Sequence, residues 1–511
     1  MIEERCRARE GNRDQRMGEY MIRRQSLMFS MFLLGVYMLF SGTRLKSASE
    51  NNHFAYLAEA FIAGQLSLKS PPPHGNDWAS YEILQLREAS RIKVSSKLNR
   101  PVSELKGIYL PKRSKESRKT RRFETLQGER LVVSSSDIKS RRRHYFVSFP
   151  PLPAVLMLPF VAIFGLTSSD VWLTIIFAAL NGGFAYHLFS EVIRRRRRRT
   201  GSTQREHDRY AAIQDRSEAL WLSISLTLGT AHFWCAVRGE VWFTALIIGV
   251  SCQLLFFKWA WDLKRPLLAG LAYACAFSTR ASLITLGLFA YAHLFSKERK
   301  LQDRLRRLIL FSLPPLLIGS LLLYYNHLRF ERWYEFGHRY LAGGQLGRIS
   351  EYGLFNTVFL KKNIIAAFAL LPFFSMSAPL ITYSWHGMAL QFSSPHLLFI
   401  LFRVKKETEE ENDEKGCSNR VQIWGLAAVI LSTLSLLLMY QNTGWVQYSW
   451  RFALDVIPAM TLIIALTAQA RGKAFRATVL WGVLINMIGA LVFGRTSLWW
   501  AALNLPQLGP H

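Results

Sequence analysis

Carboxylates, amides, imidazoles and guanidiniums recur in this chain where apolar runs end. Glu50, Asn51, Asn52 and His53 lie in "SGTRLKSASENNHFAYLAEAF", just beyond an apolar run that stops at Phe40, and Arg143, His144 and Tyr145 precede a proline-rich apolar stretch. Arg238 and Glu240 occupy "CAVRGEVWF", a short connection between two apolar runs, and Arg280 lies in "STRAS". "NHLRFERWYEFGHRYLAGG" contributes Asn326, His327, Arg329, Arg332, Glu335, His338 and Arg339, and Arg451 follows Trp445 and Gln447. A carboxylate can take a proton from a hydroxyl, and arginines can hold a phosphate through paired hydrogen bonds. Gathered on one membrane face, these groups would form a cleft for an anionic lipid and a polar acceptor. Any one of them also reads as an interfacial anchor, because loop ends in membrane proteins are polar. Glu240 resists that reading, since a carboxylate in so short a connection is costly unless it is paired or used, and Arg238 would be its structural partner.

Positioning such groups falls to membrane helices. Half of the 511 residues are hydrophobic, yet the formal net charge is +29, so apolar and basic blocks must be segregated along the chain. Runs such as "LILFSLPPLLIGSLLLYY" carry no charge over about one bilayer crossing, which argues against a set of soluble domains. The first 25 residues are too long and too charged for the n-region of a signal peptide and read as a basic cytoplasmic segment before a retained first helix. Thirteen apolar segments follow one another from residue 24 to 493. If all crossed, "IRRRRRRTGSTQREHDR", "FKWAWDLKRP" and "SKERKLQDRLRR" would lie outside, against the positive-inside rule. "YFVSFPPLPAVLMLPFVAIFG", with four prolines, suits an interfacial or re-entrant segment better than a span, and one crossing suffices within 363–402. The expectation is an all-α polytopic membrane protein with eleven spans, the N-terminus inside and the C-terminus outside.

Residues 43–149 form the first external loop, with a basic insertion at 87–143. "ASRIKVSSKLNR" and "KRSKESRKTRRFE" read as flexible or weakly helical surface, with a hairpin around "RFETLQGERLVVS". The many Lys and Arg of this insertion suit anionic lipid headgroups or a phosphorylated acceptor, and equally a solvated loop. The acidic run "KKETEEENDEKG" reads as a cytoplasmic linker. Five cysteines without CxxC spacing imply neither a disulfide framework nor a metal site, and no internal repeat, G-x-G-x-x-G or P-loop is present.

In this order and on this membrane side, the motifs resemble the integral-membrane glycosyltransferases of the C superfold, in particular bacterial relatives of the protein-mannosyltransferase and lipid A aminoarabinose transferase families (family 39-like). "SENNHFAYLAEAF" and "VRGEVW" fall where that superfold carries an acidic residue after the first span and another in the next external loop; "SFPPLPAVLMLPFVAIFG" is similar to its "PPL…FG" stretch, and "QYSWRFALDVIP" to a late motif with Arg and Phe. The resemblance covers nearly the whole chain except about 87–143. It implies a GT-C-like helical bundle, with residues 26–511 as the transmembrane domain, and an inverting transfer of a sugar from a polyprenyl-phosphate donor. The acceptor would be a lipid, glycan or protein, at the extracytoplasmic face of a bacterial plasma membrane. Where the family commonly has Asp this chain has Asn51, and an amide cannot act as a base. Glu50 would substitute, or Glu240 would carry the chemistry alone as catalytic residue, or the protein would be an inactive scaffold. The resemblance places Asn51, Asn52, His53, His144, Arg238, Arg280, His327, Arg329, His338, Arg339 and Arg451 around the substrate. No resident cofactor is expected, a divalent metal is left open, and no nucleic-acid partner is expected. A transporter or lipid-binding membrane protein is the alternative, although transporters tend to show repeated halves and polar groups near the midplane.

Overall fold

The computed structural model describes residues 2–110, 120–199, 205–296, 300–341, 345–374, 376, 381–402 and 413–495. Most of the acidic run, the middle of the basic insertion and the side chains of Cys6 and Cys417 lie outside the described residues. The chain divides into two compact units: Met1–Glu50, Ser169–Leu316 and Phe355–Pro510 make the first, Asn51–Ser168 and Leu317–Leu354 the second.

Among the described residues, six helices are long and apolar enough to cross a membrane: Gly18–Lys46, Asp170–Arg197, Val241–Leu263, Leu301–Phe330, Arg420–Met439 and Lys473–Val492. They mark the chain as a helical membrane protein. The other apolar stretches fold as shorter pieces, among them Pro266–Phe277, Ala281–Phe295 and Ile457–Leu466. Where one crossing is expected within 363–402, the described residues form a nine-residue helix, Leu360–Phe368, two paired two-residue strands and the 3-10 turn Pro395–Leu401. The proline-rich segment becomes the helix Leu152–Phe164, too short to span on its own, with Pro153 in its first turn and Pro159 inside.

In the helical unit, the helix Val241–Ala260 is apolar on every side and buried on nearly all of them. The helix Asp170–Arg199 packs closely on the first helix because Gly182 and Gly183 present no side chain there. A Cβ on Gly183 would lie 3.0 Å from the Ser26 carbonyl oxygen. Polar pairs hold the interior: Ser251 donates to Asn181 Oδ1 (2.5 Å), Asn181 to the Ile247 carbonyl (3.0 Å) and Gln253 to the Leu454 carbonyl (3.0 Å). Such interhelical bonds contribute about 0.6 kcal/mol each on average in a membrane. At the C-terminal end of Asp170–Arg199, Arg196 and Arg471 grip the fully buried Glu218, while Arg471 and Arg197 reach Asp215. Arg196 and Asp170 are thus separated by most of one helix, roughly 39 Å at 1.5 Å per residue.

The second unit corrects the all-α expectation. Its centre is a five-stranded antiparallel sheet of order β4-β3-β2-β1-β5, built from β1 (Trp78–Leu86), β2 (Glu104–Tyr109), β3 (Thr120–Thr125), β4 (Arg130–Ser134) and β5 (Ile138–Val147). The insertion expected to be flexible surface supplies most of it. "ASRIKVSSKLNR" contributes the helix Glu88–Leu98, closed by Asn99 in the left-handed region (φ 50°), which Asn tolerates. The expected hairpin is present as β3 and β4, turning at Gly128 (φ 95°), where the Gly128 amide bonds the Thr125 carbonyl. One sheet face buries Ala79, Tyr81 and Phe146 with Phe330, Tyr340 and Leu341; the other buries Leu84, Leu105, Phe123 and Leu131, with Val94 and Leu98 packed against them. Two packed faces explain why a basic segment folds: its strands carry apolar residues at period two between the charges.

Candidate functional site

The sequence-predicted residues are shared between the two units. Glu50, Arg238, Glu240, Arg280 and Arg451 belong to the helical unit; Asn51, Asn52, His53, His144, His327, Arg329, His338 and Arg339 belong to the sheet unit.

In the helical unit, one polar cluster forms where several helices end. Asp170, first residue of its helix and 1% exposed, accepts from the Ser49 amide (2.9 Å), the Ser49 hydroxyl (2.5 Å) and the Glu240 amide (2.7 Å). A carboxylate at a helix N-terminus also meets the positive end of the helix dipole. Gly239 and Glu240 both take positive φ, 75° and 68°. For Gly239 the reason is steric as well, since a Cβ there would lie 3.0 Å from Asp170 Oδ2. For Glu240, a residue with a side chain in that region, the backbone is strained by about 1–3 kcal/mol, and such strain persists where the surroundings over-determine it. The Glu240 carboxylate lies beside Arg238, whose Nε is 3.1 Å from Oε1; the side chains are 14% and 13% exposed. Arg238 and Arg44 both donate to the Phe493 carbonyl (3.0 and 2.8 Å), just past the helix Lys473–Val492, and Arg495 donates to the Ser41 carbonyl (2.9 Å).

From this cluster three guanidiniums follow one another over two aromatic rings. Arg238 and Arg451 each lie 5.2 Å from the centroid of Phe243, and Arg451 and Arg280 lie 5.6 and 5.5 Å from that of Phe452. Arg280 is bound by both oxygens of Asp455 (2.7 and 2.8 Å), and Ser282 also donates to that carboxylate. Arg451, 4% exposed, donates to the Val446 carbonyl (3.1 Å). Glu50 is exposed. Asp170 and Asp455, which hold this cluster in place, are absent from the sequence-based reading.

The polar residues after the first span have structural partners in the sheet unit. Asn51 accepts from Asn76 (3.2 Å), and Asn52 caps the helix His53–Ile62 by accepting from the Ala55 amide while donating to the Ser168 carbonyl (2.8 Å). His53 is fully buried and stacked on Trp78 at 3.8 Å, with its ring nitrogens against the carbonyls of Asn51 and Asn76. Burial lowers its pKa to about 4 against the opposing pull of those carbonyls, so it is neutral at physiological pH. Arg329 is buried over the Tyr325 ring and donates to the Val147 carbonyl (2.7 Å) and Asn326 (2.8 Å). His327 stacks on Trp333 at 4.6 Å. His144 lies opposite Tyr81 across β1 and β5, and His338 and Arg339 open the turn His338–Tyr340, where Arg339 lies 3.6 Å from Glu335.

Among the described residues no three His, Cys, Asp or Glu side chains gather to hold a metal ion. Comparison with family models, curated proteins and solved structures finds no match to this chain.

Proposed function

We propose that the chain is a membrane glycosyltransferase that moves a sugar from a polyprenyl-phosphate donor to a hydroxyl on an extracytoplasmic lipid, glycan or protein. The observation that carries this reading is the file of Arg238, Arg451 and Arg280 running from a strained carboxylate, Glu240. In the proposed step the acceptor hydroxyl attacks the anomeric carbon and Glu240 takes its proton. The bond from that carbon to the phosphate oxygen breaks, and the electron pair leaves with the phosphate. Arg451 would stabilise the departing charge, and Asp170 would position Glu240 through its amide. The topology that goes with this reading is a GT-C-like bundle of eleven crossings with Glu240 outside and Arg194–Arg199 inside. Labelling of single engineered cysteines tests the sidedness: an impermeant reagent that modifies position 197 but not 240 in intact cells would reverse it.

Arg238 bridges Glu240 and the Phe493 carbonyl, which favours a second reading, an inactive lipid-binding scaffold whose Glu240 is structural. One assay separates the two. Purified protein is mixed with a radiolabelled polyprenyl-phosphate sugar and an envelope extract, and release of polyprenyl phosphate is followed for wild type and Glu240→Gln. Wild-type release that the substitution removes supports transfer; donor binding with equal background release in both supports the scaffold.

A further inference from the structure

A cavity of about 200 Å³ lies within the sheet unit, lined by Glu82 of β1, Tyr109 of β2, Arg121 of β3, Arg141 and Arg143 of β5, and Arg339. The strand register explains the gathering. Glu82 pairs with Arg143 on one side and Gly107 on the other, so Arg141, two residues along from Arg143, and Tyr109, two along from Gly107, share its face. Tyr109 pairs with Phe123, which puts Arg121, two further along, on that face as well.

Part of the cluster is an internal ion pair. Glu82, 4% exposed, accepts from Arg141 Nε (2.8 Å) and Nη2 (2.6 Å) and from Arg143 Nε (2.7 Å). The rest has no such explanation. The Arg121 guanidinium lies 4.4 Å from the centroid of the Tyr109 ring and that of Arg141 5.2 Å from the same centroid, so two like charges share one ring. Arg121 Nε is shut off from solvent with no hydrogen-bond acceptor, and among the described residues Arg121 has no carboxylate partner. With the loose Arg339–Glu335 contact included, four guanidiniums meet two carboxylates, an excess of two positive charges. Burial keeps the Tyr109 phenol above its ordinary range, so it remains a neutral donor. The site is reachable, since the Arg141 and Arg143 side chains are 45% and 48% exposed.

We infer that this cavity binds a phosphomonoester, with Arg121, Arg141 and Arg339 as its cationic contacts and Tyr109 as a donor. A phosphomonoester at neutral pH carries close to two negative charges and three acceptor oxygens, which matches the excess charge and the planar forks. The site stands whether or not the helical unit performs transfer.

The test uses the full chain in detergent, titrated calorimetrically with glycerol 3-phosphate at low ionic strength, and the same chain with nanodiscs containing phosphatidic acid or phosphatidylcholine. Arg121→Gln and Arg339→Gln should each weaken phosphomonoester binding roughly tenfold, the loss of one charge-assisted contact. Arg130→Gln should leave it unchanged, because Arg130 is 72% exposed, pairs with Glu124 and lies outside the cavity. Binding of glycerol 3-phosphate would assign a group taken from solution; binding of phosphatidic acid alone, with the same sensitivity to Arg121, would assign a lipid headgroup. Absence of both, or equal affinity in wild type, R121Q, R339Q and R130Q, would overturn the inference. Arg339 is on a half-exposed turn, so R339Q decides the matter should R121Q fail to fold.

Discussion

The helical unit and the sheet unit each build a charged cluster, and the two hold their carboxylates differently. At the helix ends Asp170 is enclosed by three donors and Glu240 is matched by Arg238, while Arg280 is matched by Asp455. In the sheet cavity Glu82 answers two arginines at once, and Arg121 stands beside them with no carboxylate of its own among the described residues. A matched buried charge fails when its partner is removed, because the remaining group is left desolvated and unpaired. An unmatched one repels its neighbours until a ligand arrives. Substitutions in the first cluster, or of Glu82 in the second, should therefore damage the fold or its chemistry, whereas those at the unmatched Arg121 should damage binding and leave the fold alone.

The largest effect should come from Glu240→Gln. Loss of a positioned base lowers a rate by about a hundredfold to ten-thousandfold, so initial transfer rates should fall by that much while donor binding is retained. Unaltered turnover would remove Glu240 from the chemistry and leave the cluster purely structural. Next is Asp170→Ala, which strands the amides of Ser49 and Glu240 and the Ser49 hydroxyl. Each buried donor left unmade costs about 1–3 kcal/mol, so thermal unfolding in detergent should shift down by many degrees, with Asp170→Asn intermediate. An unchanged melting temperature would show that the cluster is not matched in the sense argued.

A smaller effect should follow from acid. Burial tends to raise the Glu82 carboxyl, but hydrogen bonds from Arg141 and Arg143 outweigh it and hold the group below the ordinary carboxylate range. Its folded value is thus depressed, so its stabilisation is complete above the unfolded value, about 4.3, and is lost as pH falls through the folded one. Amide-exchange protection in β1 and β5, taken against the intrinsic rate at each pH, should fall below about pH 4, more steeply in wild type than in Glu82→Gln. Parallel profiles would mean that the ion pair contributes nothing. The smallest change is expected for Arg121→Gln, whose unfolding free energy should match wild type within about 0.5 kcal/mol; a clear loss would make Arg121 a structural residue after all.

Much of the helical unit was legible because apolar runs announce their own length. Asp170–Arg199 and Val241–Ala260 cover the apolar runs that predict them, whereas the first helix begins at Ile2 and runs through the basic segment before its apolar run. The β3–β4 hairpin was legible from "LQG" between two β-forming runs. The sheet as a whole was not. β5 reads "IKSRRRHYFV", and its three consecutive arginines hide an alternation in which Arg141 and Arg143 share the face of Glu82, a residue about 60 positions earlier in the chain. In the helical site the Arg238–Glu240 pair could be read from its short connection, whereas Asp170 in "GLTSSDVWL" looks like an ordinary helix start until the fold brings Ser49 to it from 121 residues away. The capping role of Asn52 carries a local signal: an amide directly before an apolar helical run is a cap.

The composition of the sheet unit sets a schedule for its biosynthesis. Ala79, Tyr81 and Phe146 leave the ribosome early, but their covering residues Phe330, Tyr340 and Leu341 come after the long stretch that belongs to the helical unit. From Val147 to Phe330 is 183 residues, which at typical elongation speeds of about 5–20 residues per second amounts to roughly 10–40 s. For that interval the apolar face of the sheet waits without the part of its own chain that closes it. Maturation of this unit therefore completes only when the segment around Phe330–Leu341 has been made, and a nascent chain stalled before residue 330 would display a greasy β-surface to whatever chaperone meets it.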